Sequence, residues 1–392
     1  MLKLAVIFES SPFDRKGLFN AVHERVKHLL MAGECVIDAY CIHSWDTPFT
    51  RKVRHTPEVQ RREIVAIEGV SYRILWYDFS ILDHMTVEYL HRKPLLFDRF
   101  MDRCMPLFKG YDAVMAHSFT GGLFALEISR RFAIPYSVTW HGSDIHTHPW
   151  RNPLVLNHTR EIMNRATYNF FVSNALMSAS DEICVNVPKS VLYNGVSPAF
   201  FRYGDDLRIE LRGKYGLTPG KKVVAFVGSL VAVKNVDMLR PLFHEVRRLY
   251  DGPLEFWIIG DGKLRSKVEP ELMSDQSFEL RMWGNVPYDS MPSMMNCIDV
   301  LILPSRNEGL GLVCAEAIRC GAYAIGADVG GISEVVGKEN VVPHGDGFVE
   351  SMASEVVSAL HNARMQSIPD HIDWNVTAEK EMSFIRAMCQ MY

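Results

Sequence analysis

Two carboxylates flank a glycine-rich turn in the stretch NEGLGLVCAEAIRCG, and their spacing suits contact with one elongated ligand. Glu308 falls in a loop, whereas Glu316 lies within residues 312–320, whose apolar spacing predicts a helix that ends at Gly321. At a rise of about 1.5 Å per residue the two acids are up to about 12 Å apart, too far to share a proton. The N–H groups of residues 309–311 stand at the helix N-terminus, where they favour an anion such as a diphosphate.

The same two acids allow a simpler interpretation. Glu308 would cap the helix, and Glu316 would be a solvated acid on its surface. The surrounding sequence predicts a strand at residues 300–303, a second strand at residues 322–326 and a turn at Gly330 that opens another helix. This alternation places both acids near the ligand-facing edge of a parallel sheet, which favours the binding interpretation.

A lysine upstream supplies the cation that a bound anion needs. Residues 221–227 read as a strand that ends at Gly228 and Ser229, and Lys234 stands just ahead of a helix predicted to start near Asn235. The lysine ammonium can bind a phosphate while the helix end adds partial positive charge. An exposed lysine is more often a solvated charge, so the neighbouring pattern carries this interpretation.

Two further strands in the same half of the chain, at residues 254–259 and 278–283, end in glycine turns. The turns are Gly260, Asp261 and Gly262 after the first strand, and Gly284, Asn285 and Val286 after the second. Glycine lets a ligand approach the backbone closely, so the first turn is a candidate binding loop.

The N-terminal half opens with the same alternation of elements. Residues 2–8 read as a strand, a helix follows up to Gly33, and residues 35–41 read as a second strand. Gly17 lies just before that helix, where a side chain would block a ligand that approaches the backbone. A plain turn glycine explains Gly17 equally well.

A histidine follows another predicted strand of this half, at residues 136–140. That strand leads directly into His141-Gly142-Ser143-Asp144. The carboxyl edge of a doubly wound sheet is the edge that binds ligands, so His141 is a candidate site residue. His146 and His148 extend the cluster, but no third ligand follows at a convincing spacing, which argues against a metal.

Two basic segments precede this strand. Residues 44–66 predict a polar loop with a short helix, near an acceptor site. Residues 86–107 predict an amphipathic helical stretch with basic residues among leucine and phenylalanine. Such a face either lies on an anionic membrane surface or is simply solvated.

Composition bounds these interpretations. The chain has 392 residues, 48% of them hydrophobic and 22% charged, which fits a globular protein of two domains. A formal net charge of −4 gives no reason to expect nucleic acid. The eight cysteines form no C-x-x-C pair, and we expect reduced core residues in a cytoplasmic protein. No apolar run is long enough for a signal sequence or a membrane span.

The stretch EGLGLVCAEA, followed by CGAYAIGADVGGISEVV, resembles the Glu-x7-Glu signature of retaining glycosyltransferases of family 4, the group 1 type. HGSD at residues 141–144 and NGV at residues 194–196 resemble further segments of that family, whereas the first hundred residues match only in outline. The resemblance implies an α/β GT-B fold: two Rossmann-like, doubly wound parallel-sheet domains that face a cleft. It assigns residues 1–196 and the last helix, residues 374–392, to an acceptor-binding domain, residues 197–220 to a linker, and residues 221–373 to a nucleotide-sugar-binding domain.

The resemblance also implies roles for single residues. His141, Glu308 and Lys234 would be catalytic, on the transferred sugar, its hydroxyls and the diphosphate in turn. Glu316 would bind the donor ribose. Donor binding would involve Gly17, Gly228, Ser229, Lys234, Gly260, Gly262, Asn285, Val286, Glu308, Gly309, Leu310, Gly311 and Glu316. The family usually has arginine where this chain has Ser229, so one expected cationic contact is missing.

The implied activity is metal-independent, retaining hexosyl transfer from a UDP- or GDP-sugar to a hydroxyl of a saccharide or lipid-linked saccharide, in surface polysaccharide or glycolipid synthesis. No cofactor is implied, and peripheral association with the inner face of the membrane stays open. Two alternatives share the fold: a nucleotide-sugar epimerase, which would convert the donor without an acceptor, and a non-catalytic nucleotide-sugar-binding subunit. A dehydrogenase is disfavoured, because no G-x-G-x-x-G with a later acidic residue follows either opening strand.

Overall fold

A computed structural model describes residues 1–13, 15, 17–54, 56, 58–362 and 365–391. The chain forms two compact units, Met1–Asn194 with Trp374–Tyr392, and Gly195–Asp373. Tyr392, the predicted end of the last helix, lies outside the described residues.

The first unit is built on an eight-stranded sheet. Its strands are β1 Leu2–Glu9, β2 Cys35–Asp46, β3 Ile64–Ile67, β4 Val70–Phe79, β5 Ala113–His117, β6 Tyr136–Trp140, β7 Tyr168–Phe171 and β8 Lys189–Val191. The strand order is β3-β4-β2-β1-β5-β6-β7-β8. All neighbours are parallel except β3, which pairs antiparallel with β4. The order therefore reverses between β1 and β5, the point at which doubly wound sheets bind ligands.

Helices connect and cover these strands. They are α1 Gly17–Met31, α2 Pro48–Arg54, α3 Ile81–Leu90, α4 Phe97–Cys104, α5 Ser118–Phe132, α6 Ser143–His146, α7 Pro153–Arg165, α8 Asn174–Ala179 and, from the end of the chain, α16 Trp374–Gln390. The final helix packs on α1, and Met382, Ile385 and Met388 are buried in the same apolar core as Val22 and Val26. The last helix therefore packs in the core of the first unit.

The segment before β5 differs from its prediction. Residues 44–66 are not mainly loop, because they contain the end of β2, helix α2 and the start of the β3–β4 hairpin. Strand β4 was missed, although Val70, Tyr72 and Ile74 alternate with polar residues and face the core.

The single helical stretch predicted at residues 86–107 is also wrong. The structure has two helices, α3 and α4, separated by residues 91–96. His91 ends α3 in the left-handed conformation at φ 50°, and Pro94 lacks the N–H that a continuous helix would need. The basic residues at positions 91–93 therefore lie in a loop and not on a helix face.

The second unit is built on a fully parallel sheet of six strands. Its strands are β9 Lys222–Val227, β10 Leu254–Ile259, β11 Glu279–Gly284, β12 Val300–Leu303, β13 Tyr323–Ala327 and β14 Val341–Val342. Its helices are α9 Asp205–Lys214, α10 Leu239–Leu249, α11 Arg265–Met273, α12 Met291–Met295, α13 Leu312–Arg319, α14 Ile332–Val336 and α15 Phe348–Asn362. The strand order β11-β10-β9-β12-β13-β14 reverses between β9 and β12. The predicted linker, including α9, belongs to this compact unit.

The helix that carries Glu316 ends as the sequence predicts. Gly321 follows α13 at φ 91°, and its N–H bonds to the carbonyl of Ile318 at 2.9 Å. The N–H of Ala322 bonds to the carbonyl of Ala317 at 3.0 Å. These two bonds form a Schellman motif, which requires a left-handed residue and so favours glycine.

Candidate functional site

The reversal point of the second sheet brings two predicted residues together. Strands β9 and β12 are parallel neighbours, so the loops at their carboxyl ends lie side by side. In that position the Lys234 ammonium lies 2.5 Å from Oε2 of Glu308, and the Ser305 hydroxyl donates to the same oxygen at 3.2 Å. The two charged side chains are 19% and 17% exposed, so a ligand at this edge can reach both.

A second set of contacts fixes these two loops against each other. The Arg306 N–H bonds to the carbonyl of Val233 at 2.8 Å, and its guanidinium donates to the Asn235 side chain at 2.8 Å. The guanidinium also pairs with Asp237 at 2.8 Å. Contacts from the loop that carries Glu308 therefore hold the loop that carries Lys234 in place.

The predicted helix start after Lys234 is wrong. Lys234 ends a 3-10 turn, and the α-helix α10 begins only at Leu239. Asn235 adopts the left-handed conformation at φ 55°, which interrupts a right-handed helix, and asparagine tolerates that conformation better than most residues.

Close backbone packing explains one glycine of the next loop. Gly330 has φ 54°, and a Cβ there would lie 1.8 Å from the carbonyl oxygen of Glu308. Any side chain would push the two loops apart. The loop after β13 thus supports the backbone of Glu308 directly.

The Glu316 carboxyl is half-buried on α13, and burial raises its pKa to about 8. Within the described part of the chain, no hydrogen bond to this carboxyl is recorded. Glu308 does not cap α13 either, because the helix has no side-chain cap and Glu308 pairs with Lys234. The interpretation of these acids as a helix cap and a solvated surface acid is therefore wrong.

The glycine turns after β9 and β10 pack backbone against backbone. A Cβ on Gly260 would lie 2.1 Å from the carbonyl oxygen of Gly228, and a Cβ on Gly262 would lie 2.5 Å from that of Leu230. The Leu230 N–H bonds to the carbonyl of Asp261 at 3.1 Å. Close backbone packing therefore explains why Gly260 and Gly262 are glycine. Their predicted contacts with the donor stay predictions.

Three further predicted residues lie along the same edge of the sheet. Ser229 follows β9 and is exposed, while Asn285 and Val286 follow β11 and are exposed and half-buried. The side chain of Ser229 has no recorded bond to another described residue. It offers a hydroxyl where the family usually offers a guanidinium.

The predicted residue of the first unit, His141, contacts a second histidine. The Nε2 atom of His141 lies 3.1 Å from Nδ1 of His117, which ends the neighbouring strand β5. Burial lowers the pKa of His141 to about 3, with Arg25 as the second cause, and holds the pKa of His117 well below its usual range. Both imidazoles are therefore neutral at neutral pH. Sequence reasoning missed His117, because the contact depends on the pairing of β5 with β6.

The orphaned nitrogen of His117 indicates how this pair shares its proton. Nε2 of His117 is buried, and no described residue bonds to it. If His117 donates from Nδ1, only a lone pair is left unpaired, whereas the reverse arrangement buries an N–H without an acceptor. This favours His117 as the donor, and His141 then carries its own proton on Nδ1.

Asp144 builds the loop around His141. Its carboxylate accepts the backbone N–H groups of His141 at 3.0 Å and of Gly142 at 2.8 Å. Gly142 has φ 143°, a conformation that side chains rarely adopt. These hydrogen bonds fix the backbone at His141. Because Asp144 is buried, its carboxylate is not offered to solvent.

The structure assigns no functional role to Gly17, His146 or His148. Gly17 is the first residue of α1, and a Cβ there would meet no atom of another described residue within 4 Å, so packing among these residues does not require glycine. The ring of His148 packs on Phe119 at 4.6 Å between centroids. The role of Gly17 near a phosphate stays a prediction.

Among the residues that the structure describes, one group places three metal-ligand atoms within 4.8 Å of one another: His23, Glu24 and Glu68. Lys27 and Arg15 each lie 2.7 Å from a Glu68 oxygen. These two cations already neutralise Glu68, which disfavours a further positive charge. The group lies on α1 and the β3–β4 turn and contains no predicted donor residue.

Comparison with known proteins shows what the second unit of this chain resembles. Residues 221–362 match the sequence profile of the family described as "Glycosyl transferases group 1". An uncharacterized glycosyltransferase of Methanocaldococcus jannaschii is 29% identical over 236 residues, which cover 58% of this chain and 59% of that protein. The chain thus spans less than two thirds of this relative's length.

Solved structures extend the likeness to both units. Sucrose-phosphate synthase from Thermosynechococcus elongatus matches with a TM-score of 0.76 and 15% identity, over 100% of each chain. Anabaena HepE in complex with UDP-glucose matches with a TM-score of 0.67 and 16% identity, over 99% of this chain and 97% of that one. These likenesses show the fold. Residues 221–362 are similar to the group 1 glycosyltransferases, and the chain has the GT-B fold.

Proposed function

We propose that this protein transfers a sugar, with retention, from a nucleoside diphosphate sugar to an acceptor hydroxyl. The observation that carries the proposal is the Lys234–Glu308 pair at the reversal point of the second sheet. A cation and a hydrogen-bond acceptor stand there beside the N-terminus of α13, where a diphosphate and a sugar would need them.

Each charged group has a distinct task in this proposal. The Lys234 ammonium leaves its ion pair with Glu308 and binds the diphosphate instead. Together with the backbone amides before α13, it stabilises the leaving group. Glu308 is then free to accept hydrogen bonds from the sugar. Glu316 binds the ribose hydroxyls, and His141 donates its Nδ1–H to the transferred sugar.

No side chain is assigned as a covalent nucleophile. In the proposed front-face reaction, the acceptor oxygen forms a bond to the anomeric carbon as the bond to the phosphate oxygen breaks. The acceptor proton passes to the departing phosphate oxygen, so the step needs no separate base. No metal is required, because Lys234 and main-chain amides carry the developing charge.

The choice of donor rests on structural relatives. Anabaena HepE was solved with UDP, with UDP and glucose and with UDP-glucose, and starch synthase IV from Arabidopsis thaliana was solved with ADP. Because the fold is shared with the structures solved with UDP, we propose a UDP-sugar as the donor, or a GDP-sugar, which the family resemblance also allows. The acceptor is a saccharide or lipid-linked saccharide of surface polysaccharide or glycolipid synthesis.

A membrane surface is the proposed setting for a lipid-linked acceptor. No described helix has both the length and the apolar character that a membrane span requires. The segment from α3 to α4 nevertheless exposes several large apolar side chains next to the basic residues Arg92 and Lys93: Leu82, Met85, Tyr89, Leu90, Leu95 and Leu96. This mixture suits peripheral contact with anionic lipids.

The function is tested by supplying a donor sugar with and without acceptor-containing membrane extract. We expect transfer of the labelled sugar into a saccharide or glycolipid only when the acceptor is present. Conversion of the donor to an epimer in its absence would establish the epimerase instead. Donor binding without any conversion, under every acceptor tested, would indicate a non-catalytic subunit.

A further inference from the structure

A cavity of about 210 Å³ opens within the first unit, at the carboxyl edge of its sheet. Strands β1 and β4 contribute Glu9, Tyr77 and Phe79 to its lining, and α5 contributes Thr120 from its first turn. Strand β1 borders the point at which the strand order reverses. The cavity therefore occupies the position at which a doubly wound domain takes its ligand.

The floor of the cavity holds one carboxylate in a fixed orientation. Oε1 of Glu9 accepts the Tyr77 hydroxyl at 3.0 Å, and Oε2 accepts the Thr120 hydroxyl at 2.6 Å. Tyr77 is buried, and burial raises the pKa of its hydroxyl well above the usual range, so it remains a donor. Each carboxylate oxygen has a second lone pair that can accept a hydrogen bond from a ligand hydroxyl.

The mouth of the cavity carries cations without counter-ions. Arg92 and Arg151 line it and are exposed. In the part of the chain that the structure describes, neither guanidinium has a recorded ion pair. Two other cations of the lining are already engaged, since Lys93 pairs with Asp98 and Arg54 pairs with Asp46, each at 2.5 Å.

The positive potential at the mouth affects a neighbouring histidine. His148, also in the lining, is half-buried, and burial together with the charges of Arg151 and His91 lowers its pKa to about 4. Arg151 thus adds positive charge beside His148 in the lining. The walls between mouth and floor are apolar, with Phe79, Phe97, Phe119, Leu123 and Val155.

The break between α3 and α4 creates this mouth. His91 and Pro94 turn the chain away from a helical path, which places Arg92 on the lining while Leu95 and Leu96 stay exposed beside it. A continuous helix would distribute these residues around its surface. The apolar side chains next to the mouth can accompany an acyl or prenyl tail of a ligand.

We propose that this cavity is the acceptor site and that the acceptor carries a phosphate, held by Arg92 and Arg151, and a hydroxyl, held by Glu9. The proposal rests on the proposed function and specifies its acceptor. Guanidinium groups bind phosphate by paired, charge-assisted hydrogen bonds, and a carboxylate held by two hydroxyls orients an alcohol. A phosphate on a lipid and a phosphate on a soluble sugar share this chemistry.

Direct binding tests the phosphate contact without a transfer assay. Dodecyl phosphate, below its micelle concentration, and glucose 1-phosphate are titrated by calorimetry into the full chain. We expect Arg92→Gln and Arg151→Gln each to weaken binding of both probes by about tenfold or more, the loss of one charge-assisted contact. Arg99→Gln removes an equal charge from the same segment outside the lining and should leave both affinities unchanged.

The two probes separate the sources of the phosphate. Tighter binding of dodecyl phosphate indicates a lipid-borne acceptor, and tighter binding of glucose 1-phosphate indicates a soluble one. If neither probe binds the unmodified chain, or if Arg99→Gln weakens binding as much as the two lining variants, the phosphate site is overturned.

Glu9 is tested by the hydroxyl that only one probe offers beside its phosphate. Glu9→Gln should weaken glucose 1-phosphate by about fivefold or more and leave dodecyl phosphate unaffected, since a neutral amide is a poorer acceptor. Equal effects on both probes would refute its contact with a hydroxyl. Donor affinity, measured separately, should be unchanged in all variants. If the unmodified chain does not bind the donor, the proposed function is refuted, while the result for the phosphate probes can still be interpreted.

Discussion

At the scale of residues, the central finding is that the side chains of Lys234 and Glu308 form an ion pair. The sequence predicted both as site residues, because each stands after a strand and beside a glycine turn. Their contact could not be predicted, since it depends on β9 and β12 being neighbours although 72 residues lie between Val227 and Val300. The same limit explains why His117 was missed.

The first prediction concerns this pair. Lys234→Met should lower donor affinity by about tenfold or more, roughly 1.4 kcal/mol, because the diphosphate loses its cation. The free energy of unfolding should fall by only about 1 kcal/mol, since the pair is partly exposed. Calorimetric titration with UDP-, GDP- and ADP-sugars and urea unfolding measure the two quantities.

A matched control for Lys234 is the exposed Lys338 of the same unit. Lys338→Met should change neither donor affinity nor stability. Unchanged donor affinity in Lys234→Met would show that the diphosphate binds elsewhere.

The second prediction concerns Glu316, whose pKa rises from 4.5 in a solvated chain to about 8 in the fold. Between these pH values the folded protein keeps a proton that the unfolded chain has released, so unfolding becomes easier as the pH rises. We expect the stability of Glu316→Gln to depend less on pH between about 5 and 8 than that of the unmodified chain. Urea unfolding of both chains across this range measures the difference. Parallel curves of stability against pH for the two chains would contradict the raised pKa of Glu316.

At the scale of elements, the sequence predicted the second unit better than the first. Its strands are apolar runs that end in glycine turns, and these signals are local. The segment before β5 failed for two physical reasons. The hairpin strand β4 has weak alternation after Ile74, and the amphipathic pattern continues through Pro94, where the backbone cannot stay helical.

The third prediction tests the contact between the glycine turns. Gly262→Ala would place a Cβ 2.5 Å from the carbonyl of Leu230. We expect a loss of about 1–3 kcal/mol in stability and weaker donor binding, because the loops after β9 and β10 must separate.

Gly213 provides the control for this prediction. It lies in α9, where a Cβ meets nothing within 4 Å, so Gly213→Ala should stabilise the protein by up to about 1 kcal/mol. If both alanines have the same effect on donor affinity, the close packing of the turns does not shape the site.

At the scale of the whole molecule, one buried cation joins distant parts of the chain within the first unit. The Arg25 guanidinium lies 3.4 Å from a Glu381 oxygen on α16 and donates to the Asn194 side chain at 3.3 Å. Asn194 is where the chain leaves this unit, and α16 begins where it returns. The amphipathic pattern predicted helix α16 and the family resemblance implied its return to the first domain, whereas nothing local marks Arg25 as buried.

The fourth prediction follows from this burial. Glu381→Gln leaves the Arg25 charge without its counter-charge and should lower the stability of the first unit by about 3 kcal/mol or more. Glu379→Gln, on the exposed side of the same helix, should have little effect. Thermal unfolding of both variants measures the difference, and equal midpoints would contradict a structural role for the pair.

The central claim is that the loops after β9 and β12 bind a nucleoside diphosphate sugar. The most direct test is a crystal structure of the protein with the donor that calorimetry selects. The account predicts the diphosphate within hydrogen-bond distance of Lys234 and the amides before α13, with Glu308 on the sugar and Glu316 on the ribose. A donor bound away from this edge, with the Lys234–Glu308 pair intact, would contradict it.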